Sequence, residues 1–512
     1  MWMSSASAAG CRWLGAAGSL AVAVGGLAAG TLPSREPWGV WVPRGSGITL
    51  AATVLAYAGL TLLVAAWWRY GRLLAAGARD RVLVTLAWWT APLLLAPPLH
   101  SADVYSYIAQ GAMVLEGHDV YGEGPSVLGP GDLGADAADS VGGNWTDTPA
   151  PYGPVFLVLA QAVVKLTGGE IVPAVLGMRL IALGALALIV VSVRALNRDG
   201  GDGGCVGDGR AGALWLGALN PLLLIHVVGG MHNDGLMIGL MLGGVVLAVR
   251  GRWVLGSVLV GLAMMIKSPA AVALLFIGVM VARRDGGVRG VVRGLVLPGP
   301  VAGAVAVGAT LAAGTGFGWL RTQSVAGTIH TALSLTSDVG LGLGLLFGDG
   351  PEPVKGVVQK LGLLAALVVI GALAWRAWKG RLDPVLGLGL SLVVLVALSP
   401  MVQPWYVLWG TVVVAAAAGT AAAGVPVGEG SEGSRDGLRG RVGLVLAVLS
   451  AALVYETAPT GRTPWYGFVV AGLVLAAALL WVRRGRGAGP RATVPRQVRA
   501  SVADGRRERT RP

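Results

Sequence analysis

Apolar runs of about 15 to 22 residues recur along this chain, separated by short polar turns that are mostly basic. Within the runs Ala, Val, Leu and Gly follow one another with neither the period-two alternation of a half-buried strand nor a single helical stripe. Segments apolar on every side belong in lipid or in a large core, and in lipid a helix satisfies its own backbone polar groups. The runs fall near 13–32, 48–68, 82–98, 171–193, 212–229, 233–249, 295–313, 356–375, 384–399, 404–423, 443–456 and 465–482. Between 253 and 282 two apolar halves are split by Lys267, Ser268 and Pro269. Each half is about 14 residues, roughly 21 Å of helix, which predicts a short hairpin. Residues 155–168 are apolar but short and carry Lys165. They are predicted as an interfacial or re-entrant helix, because a full span here would put Arg194, Arg198 and Arg210 outside. The pattern predicts an all-α polytopic membrane protein, a bundle of about 14 transmembrane helices.

Composition supports this reading: 54% of residues are hydrophobic, 13% are charged and the mean hydropathy is +0.70. The 82 glycines suit close packing of helices in lipid. A net charge of +13 raises nucleic-acid binding as an alternative. The basic residues instead sit in turns between apolar runs, among them Arg69, Arg72, Arg250, Arg252, Arg283, Arg284, Arg376, Lys379 and Arg381. That is the positive-inside pattern, so no nucleic-acid partner is expected and both termini are placed in the cytoplasm of a multi-pass cell-membrane protein. The first run is expected to be a retained span rather than a signal peptide. Residues 1–482 form the expected transmembrane catalytic domain, and the Arg-rich 483–512 a disordered cytoplasmic tail. The Gly- and Asp-rich stretch 197–210 has the wrong spacing for a calcium loop and is expected to be a linker. Two cysteines, Cys11 and Cys205, make no disulfide framework or metal cluster.

One interval breaks the apolar pattern before the C-terminus. Residues 99–154 hold Asp103, Glu116, Asp119, Glu123 and Asp147, four tyrosines (Tyr105, Tyr107, Tyr121, Tyr152), His100 and His118. It follows the third run and is expected to be a large first external loop carrying the active site. Asp103, just past the membrane and flanked by Tyr105 and Tyr107, is placed to accept a proton from a sugar hydroxyl. Glu116, Asp119, Glu123, Tyr105, Tyr107, Tyr121 and Tyr152 are candidates to orient or bind sugar hydroxyls. His232, Asn233 and Asp234 form a polar triplet between two apolar runs, where ionisable groups are usually functional. A helix N-cap at Asn233 or Asp234 explains the triplet equally well. Lys267 is a cation between apolar halves and needs an anion, for which a lipid phosphate is the candidate; snorkelling to a surface is the alternative. Arg321, in a second external loop at 316–338, is a further phosphate candidate. Gln403, Trp405 and Tyr406 offer amide, indole and phenol to a sugar, against the alternative of an interfacial aromatic belt.

The chain carries no P-loop, GxGxxG, HExxH or paired CxxC at a credible position, so a nucleotide-sugar donor has no domain to hold it. The motifs HSADVYSYIAQG, DVYGEGP, DTPAPYGP, HNDG, KSPA and SPMVQPWY, in this order, resemble the actinobacterial polyprenol-phosphomannose-dependent α-1,6-mannosyltransferases. These are membrane glycosyltransferases of the GT-C class, and the resemblance covers nearly all of 90–410. It implies inverting transfer of mannose, outside the cytoplasmic membrane, from polyprenyl phosphomannose to a mannosyl lipid acceptor in a lipomannan-type glycan. An acid in the first external loop is the general base of this class, which falls on Asp103. Lys267, with His232 or Arg321, then supplies charge to the leaving phosphate. No metal and no other cofactor is expected. The acidic stretch Asp132, Asp136 and Asp139 has no counterpart in the resemblance. The alternative from another class is a lipid-linked sugar flippase or other transporter, which favours paired broken helices and internal repeats. One broken segment and no clear repeat are legible here.

Overall fold

The computed structural model describes residues 2–78, 80–197, 208–347, 351–418 and 435–487, and every regular element among them is helical. The glycine-rich linker at 198–207 and the tail beyond 487 lie outside the described residues. By length and apolarity five helices can cross a membrane: Ala8–Ala29, Ser46–Ala75, Ile171–Leu196, Gly287–Ala313 and Glu352–Trp378. A sixth is Arg210–Gly217 with Pro221–Gly229 taken as one span bent by 45°. Apolar helices of 10–17 residues pack beside them, including Pro154–Thr167, Asp234–Val249, Trp253–Met264 and Pro384–Ala397. The chain is therefore a multi-pass helical membrane protein. On Glu352–Trp378, Leu361, Leu364, Leu367 and Val368 are each 58–64% exposed, an apolar face that lipid covers.

The expected elements recur with informative differences. Residues 155–168 form the short helix Pro154–Thr167, ended by Gly168 at φ 64°, and the long span Ile171–Leu196 follows. The 253–282 segment breaks where Lys267 predicts, into Trp253–Met264, a 3-10 turn Ser268–Ala271 and Val272–Asp285. Pro269 starts that turn and cannot continue the preceding helix. The run near 82–98 is a helix over Val82–Thr90, tightened to a 3-10 turn over Ala91–Leu95.

The interval 99–154 is not a solvated loop. It folds into the helix Asp103–Leu115, whose residues Val104 to Met113 are all buried, with shorter turns behind it. Within the acidic stretch the Asp132 carboxylate accepts from the Gly129 amide, while the Asp139 backbone carbonyl and Ser140 bond Ser34 after the first helix.

Arg179, 2% exposed on Ile171–Leu196, fixes the entry to this region. Its guanidinium donates to the carbonyls of Leu94 (2.9 Å), Ala96 (2.7 Å), Val228 (3.3 Å) and Gly229 (3.4 Å). These carbonyls lie at two helix ends, where intrahelical donors run out, and a buried carbonyl left without a donor costs about 1–3 kcal/mol. One arginine thus ties the segment before Asp103 to the segment before His232.

Candidate active site

Asp103 is the first residue of its helix, where the positive end of the dipole favours a carboxylate. Its Oδ1 accepts from Ser101 Oγ at 2.8 Å, and its backbone N–H donates to the same hydroxyl at 3.1 Å. Its Oδ2 lies 3.2 Å from His232 Nδ1, although that nitrogen lacks hydrogen-bond alignment. The Asp103 side chain is 25% exposed and that of His232 is fully buried, so the carboxylate faces an opening and the imidazole backs it. Burial pushes the Asp103 carboxyl up, but His232, Ser101 and the charge of Lys267 outweigh it and hold it below the usual carboxylate range.

His232 reaches Asp103 through unusual backbone. The chain before it runs in a π-helical turn, Leu224–Gly229, and Met231 takes φ 54°. Opposite, His100 takes φ 63° while its Nδ1 meets the Thr457 carbonyl at 2.8 Å. Such backbone is costly and gathers at functional sites. The turn carries His226, fully buried, with its ring centroid 5.6 Å from His232 and 5.0 Å from Trp405. Trp405 itself stacks on His232 at 3.7 Å.

Lys267 lies at the broken hairpin and its anion is Asp234: Nζ to Oδ1 is 2.9 Å and to Oδ2 3.0 Å. Trp409 Nε1 donates to the same Oδ1 at 2.6 Å, and the ammonium sits 4.4 Å above the Tyr406 ring. An ammonium has three donors, so one remains beyond the two aimed at Asp234. The Lys267 side chain is 15% exposed and that of Asp234 is 1%. Hence Asp234 is a partner of Lys267 rather than a free sugar ligand, and snorkelling does not explain this lysine. The side chain of Asn233 does not cap its helix, and neither its amide oxygen nor its nitrogen has a partner among the described residues. Unpartnered too are both nitrogens of His226, His232 Nε2 and Trp405 Nε1, on three rings that touch one another. Buried polar atoms are normally satisfied, so these atoms are free to hydrogen-bond a polar ligand.

Asp103, His232, Asn233, Lys267, Trp405 and Tyr406 are thus brought together, with Tyr107 and Tyr152 within electrostatic reach of both Asp103 and Asp234. Other candidates go elsewhere. Tyr105 points back to donate to the Thr31 carbonyl at 2.6 Å. Glu116 accepts from the Leu133 amide and Asp119 from the Tyr121 amide, both as exposed turn acids. Tyr121 donates to the Tyr152 carbonyl, and its own carbonyl accepts from Arg321 at 3.0 Å. Arg321 is exposed and ties the 316–338 segment to the 99–154 segment. Gln403 is half-buried at the start of the 3-10 turn Pro404–Tyr406. The sequence reading left out Ser101, His226 and Trp409. Trp409 lies one helical turn past Trp405 and was legible from that spacing, whereas a π-turn leaves no periodicity to read.

The fold and this site define a class: a multi-pass helical membrane protein with a carboxylate, imidazoles and a lysine–aspartate pair gathered beside one opening. Family models resolve it further. Residues 12–283 match the model described as "Alpha-(1->6)-mannopyranosyltransferase, N-terminal domain", and residues 330–486 match "MptB C-terminal domain". A probable alpha-(1->6)-mannopyranosyltransferase of Mycolicibacterium smegmatis is 34% identical, over 92% of this chain and 87% of its own. An alpha-(1->6)-mannopyranosyltransferase of Mycobacterium tuberculosis is 34% identical, over 79% and 78%. Alpha-(1->6)-mannopyranosyltransferase B of Corynebacterium glutamicum is 32% identical, over 78% and 72%. The chain belongs to the alpha-(1->6)-mannopyranosyltransferase family and is a mannosyltransferase, which sets the transporter alternative aside.

Proposed function

We propose that this enzyme transfers mannose, with inversion, from polyprenyl phosphomannose to the 6-hydroxyl of a mannosyl lipid acceptor, extending a lipomannan-type chain at the outer face of the cell membrane. The observation that carries the reading is Asp103, a partly open carboxylate held ionised by His232 and Ser101 within the field of Lys267. Asp103 removes the acceptor hydroxyl proton as that oxygen attacks the anomeric carbon. The bond to phosphate oxygen breaks with its electron pair, so a β-linked donor gives an α product and polyprenyl phosphate leaves. The third donor of Lys267 is aimed at the phosphate. Asp103, Asp234 and Lys267 together carry one net negative charge, so a phosphate donor needs further donors beside Lys267, and His232, whose Nε2 has no partner among the described residues, is placed to supply one. Asn233, Trp405 and His226 read sugar hydroxyls through their unpartnered polar atoms.

In this reading the short apolar helices complete a GT-C bundle of about 14 spans, with the basic turns and both termini in the cytoplasm. The donor class is tested by supplying membranes with radiolabelled polyprenyl phosphomannose or a mannosyl nucleotide. Label in an α-linked lipid product from the first alone is expected. Direct transfer from the nucleotide, in membranes stripped of polyprenyl phosphate, overturns the lipid-donor proposal.

A second expectation concerns pH. Because the Asp103 carboxyl is depressed, the base stays ionised through the neutral range and rate falls only as pH drops through that lowered value. His232→Ala removes a lowering influence and moves the acid limb of kcat/KM to higher pH. An unmoved limb takes His232 out of the role of positioning the base.

A further inference from the structure

At the far end of the helices that carry the site lies a basic groove the transfer reaction does not use. Val272–Asp285 runs from beside Lys267 to Arg283 and Arg284, about 21 Å away along the helix axis. Pro384–Ala397 returns from Arg381 and Leu382 toward the Trp405 turn. Between these ends sits a groove of about 810 Å³ lined by Arg283, Lys379, Trp378, Val288 and Val291 among others. The Lys379 ammonium lies 4.3 Å from the Trp378 ring and 4.6 Å from the Trp375 ring, which holds a flexible cation at one position. Asp285, the acid next to Arg283 and Arg284, is already paired with Arg293 at 2.7 Å.

An apolar strip continues the groove. On the amphipathic helix Gly287–Val296, Val288, Val292, Leu295 and Val296 are 51–81% exposed, at the spacing of one helical face. Cations at the mouth, tryptophans at the interface and an apolar track leading away match one ligand shape: a phosphate head joined to acyl chains. A zwitterionic head brings a second ammonium against Arg283 and Lys379 and is disfavoured by its charge. Free phosphate has nothing to lay on the strip.

We propose that this groove binds one anionic glycerophospholipid of the leaflet opposite the Asp103 site, its phosphate between Arg283 and Lys379 and a chain along Val288, Val292 and Leu295. The test places the full-length enzyme in nanodiscs of phosphatidylcholine doped with phosphatidylglycerol and counts retained lipids by native mass spectrometry. Each cation near a membrane surface is worth roughly fivefold in anionic-lipid binding, so the pair gives roughly twenty- to thirtyfold preference for phosphatidylglycerol. That preference is expected in the wild type and in Lys379→Arg, reduced about fivefold in Arg283→Gln or Lys379→Gln, and absent in the double variant. The single variants carry the test if the double variant does not fold. Equal preference in wild type and both single Gln variants, no preference in the wild type, or displacement of the lipid by inorganic phosphate alone overturns the proposal.

Discussion

Asp103→Asn is expected to lower kcat for mannosyl transfer by about 10²- to 10⁴-fold while leaving the fold intact. The substitution is nearly isosteric. An amide oxygen still accepts the Ser101 hydroxyl now bound at 2.8 Å, and asparagine is tolerated in the first turn of a helix. What disappears is the capacity to take a proton, together with the charge facing His232. The assay is single-turnover transfer at saturating lipid donor, with thermal unfolding in detergent as the control. A variant that transfers mannose at the wild-type rate would remove Asp103 as the base. One that loses activity only because it unfolds points to a structural carboxylate.

The Lys267–Asp234 pair is expected to show two separable roles. Lys267→Met strands a carboxylate that is 1% exposed with Trp409 as its remaining hydrogen-bond donor. Removing one member of a buried pair costs about 3–5 kcal/mol, so this variant should be poorly stable and inactive. Replacing both charges, as Lys267→Met with Asp234→Asn, removes the stranded ion and should restore most of that stability. Activity should not return, because the remaining Lys267 donor is what the phosphate needs. Recovery of transfer along with stability in the double variant would make the pair purely structural. The comparison is read from unfolding midpoints and from the residual transfer rate at saturating donor in the four members of the cycle.

The members of the site differ in how visible they were beforehand. Asp103, His232, Asn233, Lys267, Trp405 and Tyr406 were legible because polar side chains between apolar runs in a membrane protein are costly to keep. Their pairings were not. Nothing in the chain says that Lys267 meets Asp234 rather than a ligand, since the two lie 33 positions apart and the contact exists only once the hairpin folds against the preceding helix. Tyr105, Glu116, Asp119 and Tyr121 looked equally suited to sugar, yet each is spent on a backbone group, Tyr105 on the Thr31 carbonyl after the first helix and the other three within 99–154. Arg179, within the span Ile171–Leu196, was not among the candidates and proves to be the clamp under the site.

The sequence by itself determined the solvent this protein lives in, the helical state that solvent imposes, and the points where apolar runs are interrupted. Those follow from transfer energies and backbone hydrogen bonding, which are local properties of composition and spacing. Tertiary structure alone decided which interruptions meet. Direction along a helix, the register of a bent span, and φ values such as those of His100 and Met231 depend on packing against distant segments. A carboxylate becomes a candidate base only when an imidazole from a segment more than a hundred residues away arrives beside it, as His232 does at Asp103.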